Sequence, residues 1–191
     1  MAFPTQIKAV FLDRDGVINE ICKHPELKDR NGKICEDPLS LKEFKIKKGV
    51  IEAVNEFKKL GYDVVIVSNQ PGLIKGFYKK ELLDEITNYM KRILGIKHVN
   101  YCLHHPDYYG ECECRKPKPG LIVKSSREWF IDLSKSFVVG DQESDIIAGR
   151  KAGCKTILLD ENNEKKDINA DFRIIDLKEL INIIRNPHTI H

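Results

Sequence analysis

Val64-Val-Ile-Val67 is an apolar run with no polar interruption, set between two stretches of helical period. Before it, Val50, Ile51, Val54, Phe57 and Leu60 recur at the spacing of one helix face, with Gly61 as the stop. After it, Leu82, Leu83, Ile86, Met90, Ile93 and Leu94 form a second stripe, closed by Gly95. A strand with no polar face must be covered on both sides, which is the condition of a parallel sheet sandwiched between its crossover helices. The rhythm continues along the chain. Ala9-Val-Phe-Leu12, Val99 to Leu103, Phe137-Val-Val139 and Thr156-Ile-Leu-Leu159 read as strands, and Leu121 to Phe130, Asp145 to Ala152 and Leu177 to Ile184 as helices. The expected fold is one α/β domain over residues 1–191, a Rossmann-like, doubly wound parallel sheet.

Composition narrows the partners. With 41% hydrophobic and 32% charged residues the chain can build a core and remain soluble. No apolar run is long enough to span a bilayer, and Met1 to Ala9 lacks the charged-then-apolar order of a secretory leader. A cytoplasmic monomer acting on a small molecule is expected, with no membrane partner. The formal charge of +3, with lysines scattered as Lys42, Lys45, Lys47, Lys48, Lys58 and Lys59, gives no basis for nucleic-acid binding.

Two segments interrupt the alternation. Residues 20–48 are long, polar and rich in turn formers, including Pro25, Asn31-Gly32 and Pro38, and are read as a specificity loop. Residues 102–118 concentrate Cys, His, Pro and Gly.

Chemistry gathers at the strand ends. In Phe11-Leu-Asp-Arg-Asp-Gly-Val17, Asp13 and Asp15 leave the first strand at the edge where doubly wound sheets bind ligands, and alternate residues of an extended segment share a side. Two convergent carboxylates suit Mg²⁺, a hard cation that prefers oxygen, and suit a division between nucleophile and general acid–base. Solvated acids at a strand-end turn are the plainer reading. The second strand ends in Ser68-Asn-Gln70, whose hydroxyl and backbone N–H can meet a phosphate oxygen; turn chemistry alone also favours these residues. The strand at Phe137 ends in Gly-Asp141-Gln-Glu-Ser-Asp145, where Asp141 and Asp145 are also natural helix-start acids. Three such strand ends in order exceed what capping explains.

These motifs resemble those of the haloacid dehalogenase (HAD) superfamily of phosphohydrolases: Asp13-Arg-Asp-Gly-Val17 the first, Ser68-Asn-Gln70 the second, Lys116 the third, and Gly140-Asp141 through Asp145 the fourth. The resemblance covers residues 9–159. It implies that Asp13 attacks phosphorus and becomes an aspartyl phosphate, while Asp15 protonates the leaving oxygen and then activates water. It further implies Mg²⁺ held by the carboxylates of Asp13 and Asp141 and the backbone carbonyl of Asp15, with Asp145 supporting the water shell or the lysine. Ser68 and Lys116 would hold the transferring oxygens, Lys118 being the alternative lysine.

Cys102-Leu-His104 and Cys112-Glu-Cys114 offer three thiolates and an imidazole, the donor set of a closed, structural Zn²⁺ site; His105 is the alternative to His104. A loop with so little apolar content cannot order itself by burial, so the metal would hold the adjacent Arg115 and Lys116 in place. Cys22, Cys35 and Cys154 lack such company and are read as packing or surface residues. The Cys-x-His…Cys-x-Cys-Arg-Lys-Pro117 pattern resembles the branch that contains D-glycero-D-manno-heptose 1,7-bisphosphate and histidinol-phosphate phosphatases, which have no large cap domain. The stretch from Ser68-Asn-Gln-Pro to Gly76 is similar to the heptose members. The resemblance then implies loss of the 7-phosphate from a sugar bisphosphate, with Arg115 as the fork for the phosphate that stays and Ser68, Asn69, Gln70 and Pro71 near the sugar. Gln142 stands where several relatives carry a basic residue, and is placed with the substrate contacts. Histidinol phosphate is the second substrate class, Glu20 or Tyr78 then meeting its cation. A nucleic-acid 3′-phosphate and a non-catalytic, zinc-stabilised interaction module are weaker readings.

Overall fold

The computed structural model describes residues 6–165 and 167–185; Met1 to Thr5, at the start of the segment read for a leader, lie outside it. Strands β1 (Lys8–Leu12), β4 (Tyr62–Asn69), β5 (His98–Cys102), β6 (Phe137–Gly140), β7 (Lys155–Leu159) and β8 (Phe172–Ile174) form one parallel sheet in the order β5-β4-β1-β6-β7-β8. The crossovers include α1 (Val50–Lys59), α2 (Lys80–Leu94), α4 (Gly120–Trp129) and α5 (Glu143–Ala152), and α6 (Leu177–Arg185) ends the described chain. Between them run a two-stranded hairpin, β2 (His24–Lys28) and β3 (Ile34–Cys35), and a single turn, α3 (Pro106–Tyr109).

The alternation of strand side chains splits the core into two layers. Val10, Leu12, Val64, Ile66, Val139 and Ile157 face α1, α2 and α6, and pack with Val54, Phe57, Ile86, Met90 and Leu180. Ala9, Phe11, Val65, Val67 and Val138 face the other way, against Leu121, Ile122 and Ala148 of α4 and α5. The side chains of both layers are buried, as strands with no polar side require. Each fully buried Val, Ile, Leu or Phe contributes roughly 1.5–3 kcal/mol, enough in sum to fix the register that points β1, β4 and β6 at one edge.

The structure departs from expectation at residues 20–48. Asn31-Gly32 turns an antiparallel hairpin, with Gly32 at φ 77° and Asp29 accepting from the backbone N–H of Asn31 and Lys33. Its strands, His24-Pro-Glu-Leu-Lys28 and Ile34-Cys35, are too polar and too short to show a period of two. The strand β8 was likewise hidden, three residues in a polar stretch. Among the described residues no inserted domain interrupts the core, as expected of a chain without a large cap.

Candidate active site

The carboxyl ends of β1, β4 and β6 converge where the strand order turns at β1, and a cleft of ≈ 530 Å³ opens above them. Asp13 follows β1, Ser68 lies at the end of β4 and Asp141 follows β6; all three are buried and line the cleft. Lys116 enters from the cysteine loop, with Nζ 2.7 Å from Asp13 Oδ1, 3.0 Å from the carbonyl of Val67, and paired with Asp145. The other lysine considered, Lys118, is turned outward to Glu111 and Glu113.

Two glycines are required here by close approach. A Cβ on Gly16, itself at φ 87°, would stand 2.6 Å from Asp141 Oδ2. One on Gly140 would meet the side chain of Asp145 at 2.1 Å. Asp145 stands in the first turn of α5, as its helix-start reading has it, and completes a capping box: its Oδ2 accepts from the backbone N–H of Gln142, and its other oxygen meets Lys116. Gln142, not Asp141, is the N-cap.

The electrostatics are those of a site short of positive charge. Asp13, Asp141 and Asp145 present carboxylate oxygens within 4.8 Å of one another. Burial pushes the Asp13 carboxyl up to about 6, Lys116 opposing and the charges of Asp145 and Asp15 adding to it. Burial, with Asp13 nearby, raises Asp141 as well. Burial works against the Lys116 ammonium, yet Asp13 and Asp145 hold its pKa above the ordinary lysine range. One lysine cannot balance three carboxylates. Asp141 Oδ1 is buried with no hydrogen-bond partner among the described residues. An orphaned carboxylate oxygen beside an all-oxygen donor set fits a hard divalent cation.

Asp15 also lines the cleft, with its carboxylate held by a cradle of donors. Its carboxylate accepts from Arg14 Nε at 3.0 and 3.2 Å, Arg14 Nη2 at 3.0 Å, Asn19 Nδ2 at 3.0 Å and Gln70 Nε2 at 2.6 Å. Arg14 is buried, its guanidinium over the rings of Tyr101 and Phe44. Nothing in the linear order of residues marks this: Arg14 reads as a spacer between two acids, and only contact with Phe44 and Tyr101, distant in the chain, makes it a structural cation.

Ser68, Asn69, Pro71, Arg115, Lys116 and Gln142 line the cleft, whereas Gln70 does not. Gln70 is fully buried, donating to Asp15 and to Ser68 Oγ and accepting from the Tyr78 hydroxyl at 3.0 Å. Asn69 clamps the Lys116 backbone, accepting from its N–H and donating to its carbonyl at 3.1 Å each. Gln142 Nε2 donates to Asp141 Oδ2 at 2.7 Å, and Arg115 Nη1 to the carbonyl of His104 at 3.2 Å. Sequence reasoning also missed two lysines that flank the acids. Lys47 donates to the carbonyl of Gly16 at 2.8 Å, and Lys165 to that of Asp141. Both lie in polar segments with no motif.

Cys102, at the end of β5, converges with His104, Cys112 and Cys114 of the loop that follows. Five Sγ–Sγ and Sγ–Nδ1 separations among them run from 3.2 to 3.8 Å. A tetrahedron with bonds near ~2.3 Å has edges near ~3.8 Å, so the four donors fit one closed Zn²⁺ site. His105 is elsewhere, accepting from the N–H of Asp107 at the start of α3. The Lys116–Pro117 peptide is cis.

A family model described as HAD-hydrolase-like matches residues 113–180. The chain is 35% identical over 185 residues to the D-glycero-beta-D-manno-heptose-1,7-bisphosphate 7-phosphatase of Helicobacter pylori, covering 93% of this chain and 98% of that protein. It is 32% identical over 183 residues to the D-glycero-alpha-D-manno-heptose-1,7-bisphosphate 7-phosphatase of Campylobacter jejuni, covering 93% and 96%. Among solved structures it is similar to a D,D-heptose 1,7-bisphosphate phosphatase from B. bronchiseptica complexed with magnesium and phosphate. That match has a TM-score of 0.78 and 26% identity, over 95% of this chain and 99% of the other.

Proposed function

This chain belongs to the heptose-1,7-bisphosphate 7-phosphatase family of HAD-like hydrolases, and on that premise we propose that it removes the 7-phosphate of D-glycero-D-manno-heptose 1,7-bisphosphate. It does so as a cytoplasmic monomer, in the biosynthesis of nucleotide-activated heptose. The observation that carries the reading is the Asp13–Lys116 pair, 2.7 Å apart at the floor of a cleft whose walls bear Lys33, Lys75 and Arg115. Those three cations can meet a second phosphate, which histidinol phosphate does not have. The names of the relatives favour the same choice.

Asp13 Oδ attacks phosphorus in line, a P–O bond forming as the bond to the sugar O7 breaks, and Asp15 delivers a proton to that oxygen. The product is an aspartyl phosphate on residue 13. Asp15, now basic, takes a proton from water as its oxygen attacks phosphorus, releasing inorganic phosphate and restoring the Asp13 carboxylate. Lys116 and the Ser68 hydroxyl hold the equatorial oxygens of the transferring group. Mg²⁺ would be held by the carboxylates of Asp13 and Asp141 and the backbone carbonyl of Asp15, and when bound supplies the charge that lets an anionic nucleophile approach a phosphate. Asp145 keeps Lys116 in register. Zn²⁺ on Cys102, His104, Cys112 and Cys114 would fix the loop that carries Arg115 and Lys116.

The test is phosphate release from the α and β anomers of the heptose bisphosphate and from histidinol phosphate. A kcat/KM for the preferred heptose anomer at least ~100-fold above that for histidinol phosphate is expected, a difference of about 2.7 kcal/mol. Parity or reversal would reject the substrate.

A further inference from the structure

The hairpin that replaces the expected loop brings Asp37 into the cleft, a carboxylate that none of the chemistry above uses. Asp37 follows β3 and lines the cleft with Ser68, Pro71 and Lys75, yet its side chain is only 16% exposed. Its one charged contact among the described residues is long, 3.9 Å from Asp37 Oδ1 to Arg14 Nη2. No described residue donates a hydrogen bond to its carboxylate. A mostly buried carboxylate without close donors is costly, and such groups ordinarily carry partners.

The surroundings hold it where it is. Arg14 is itself fixed by Asp15 and by the rings of Phe44 and Tyr101. On the other side Gly72 lets the loop after β4 close in: a Cβ there would stand 2.5 Å from Asp37 Oδ2 and 2.4 Å from the Tyr78 ring. The loop is tied to the hairpin by Lys75 and Asp29, 2.7 Å apart. Asp37 is therefore a built feature of the cleft and not a solvated hairpin acid.

Its chemistry selects among ligands. It is not part of either group of residues placed to share a metal ion. The cleft carries Lys33, Lys75 and Arg115 beside Lys116, and Glu36 and Glu143 beside the acids already described. A phosphate ester held by those cations is itself anionic, so the donors it brings to Asp37 are its hydroxyls, and a carboxylate can accept from two at once.

Resting on the sugar-phosphatase reading above, we propose that Asp37 is a specificity-determining residue that accepts hydrogen bonds from the hydroxyls of a phosphorylated polyol, with Arg14 as the positioning residue that holds it. A substrate without those hydroxyls leaves Asp37 unpaired, and discrimination follows from that penalty.

The experiment compares kcat/KM for the heptose bisphosphate with that for p-nitrophenyl phosphate, which has no hydroxyls, in wild type, Asp37→Ala and Asp37→Asn. In the variants the ratio of the two constants should fall by roughly 10- to 100-fold, the loss expressed chiefly in KM for the sugar. A ratio equal to that of wild type, in whichever variant folds, overturns the assignment. The two readings fail separately. If wild type itself shows no preference for the sugar, the substrate class is wrong. If wild type discriminates and the variants discriminate as well, only the role of Asp37 is lost.

Discussion

Lys116 Nζ stands between the carboxylates of Asp13 and Asp145, 2.7 Å from the first, and its own backbone is clasped at both ends by the Asn69 amide. A single side chain thus ties the first strand's tip, the start of α5 and the cysteine loop. Replacing Lys116 by Met keeps the volume but leaves two buried acids unpaired. The expected cost is about 3–5 kcal/mol in urea unfolding of the metal-free protein, with turnover lost. A variant as stable as wild type would show that the acids do not depend on the lysine.

Asp13→Asn should behave in the opposite way toward stability. Asp13 is raised to about 6 by burial and by neighbouring acids, so its ionised form weakens the fold at neutral pH. Removing the charge should raise the melting temperature of the metal-free protein while abolishing turnover. A fall in melting temperature would contradict the charge balance described here.

Gly16→Ala tests the cradle of Asp141. The added methyl would press on a carboxylate 2.6 Å away from a backbone at φ 87°. Strain of this kind costs on the order of 1–3 kcal/mol. Mg²⁺ titration by calorimetry should show weakened binding along with the lost stability; wild-type affinity would mean that Asp141 does not hold the ion.

The Asp37 carboxyl is pushed up to about 6 by burial, Asp15 adding to the shift and Arg14 opposing it. An acid raised in the folded state costs nothing below its ordinary value of 3.8 and its full penalty above about 6. Between about pH 4 and about pH 7, wild type should therefore lose on the order of 2–3 kcal/mol relative to Asp37→Asn. Parallel stability curves would refute the shift.

Zinc analysis of the purified protein should give about one equivalent, and Cys112→Ser should lower it. Stripping the metal should expose the cysteine loop to trypsin and cut turnover without removing Mg²⁺ binding. Zinc far below one equivalent would reject the site.

What the sequence made legible was whatever repeats or clusters. Apolar runs such as Val64 to Val67 and stripes such as Leu83, Ile86 and Met90 mark strands and helices because burial is periodic. Asp13 and Asp141 are legible because each sits just past a buried strand, and the cysteine set because a short loop keeps its donors close in the chain. The Arg14–Asp37 contact, the Lys165 carbonyl bond and the burial of Gln70 are not, because each joins residues from elements far apart. The hairpin at Asn31-Gly32 escaped because its strands satisfy backbone bonds without burying a face.

In the proposed mechanism the phosphoryl group passes covalently to residue 13. Borohydride reduction of enzyme quenched during turnover, followed by peptide mass spectrometry, reads it directly, since an acyl phosphate is reduced to an alcohol and a free carboxylate is not. Homoserine is expected at position 13, dependent on substrate and Mg²⁺; an unmodified Asp13 with the reduced residue elsewhere, or nowhere while turnover proceeds, would rule the intermediate out.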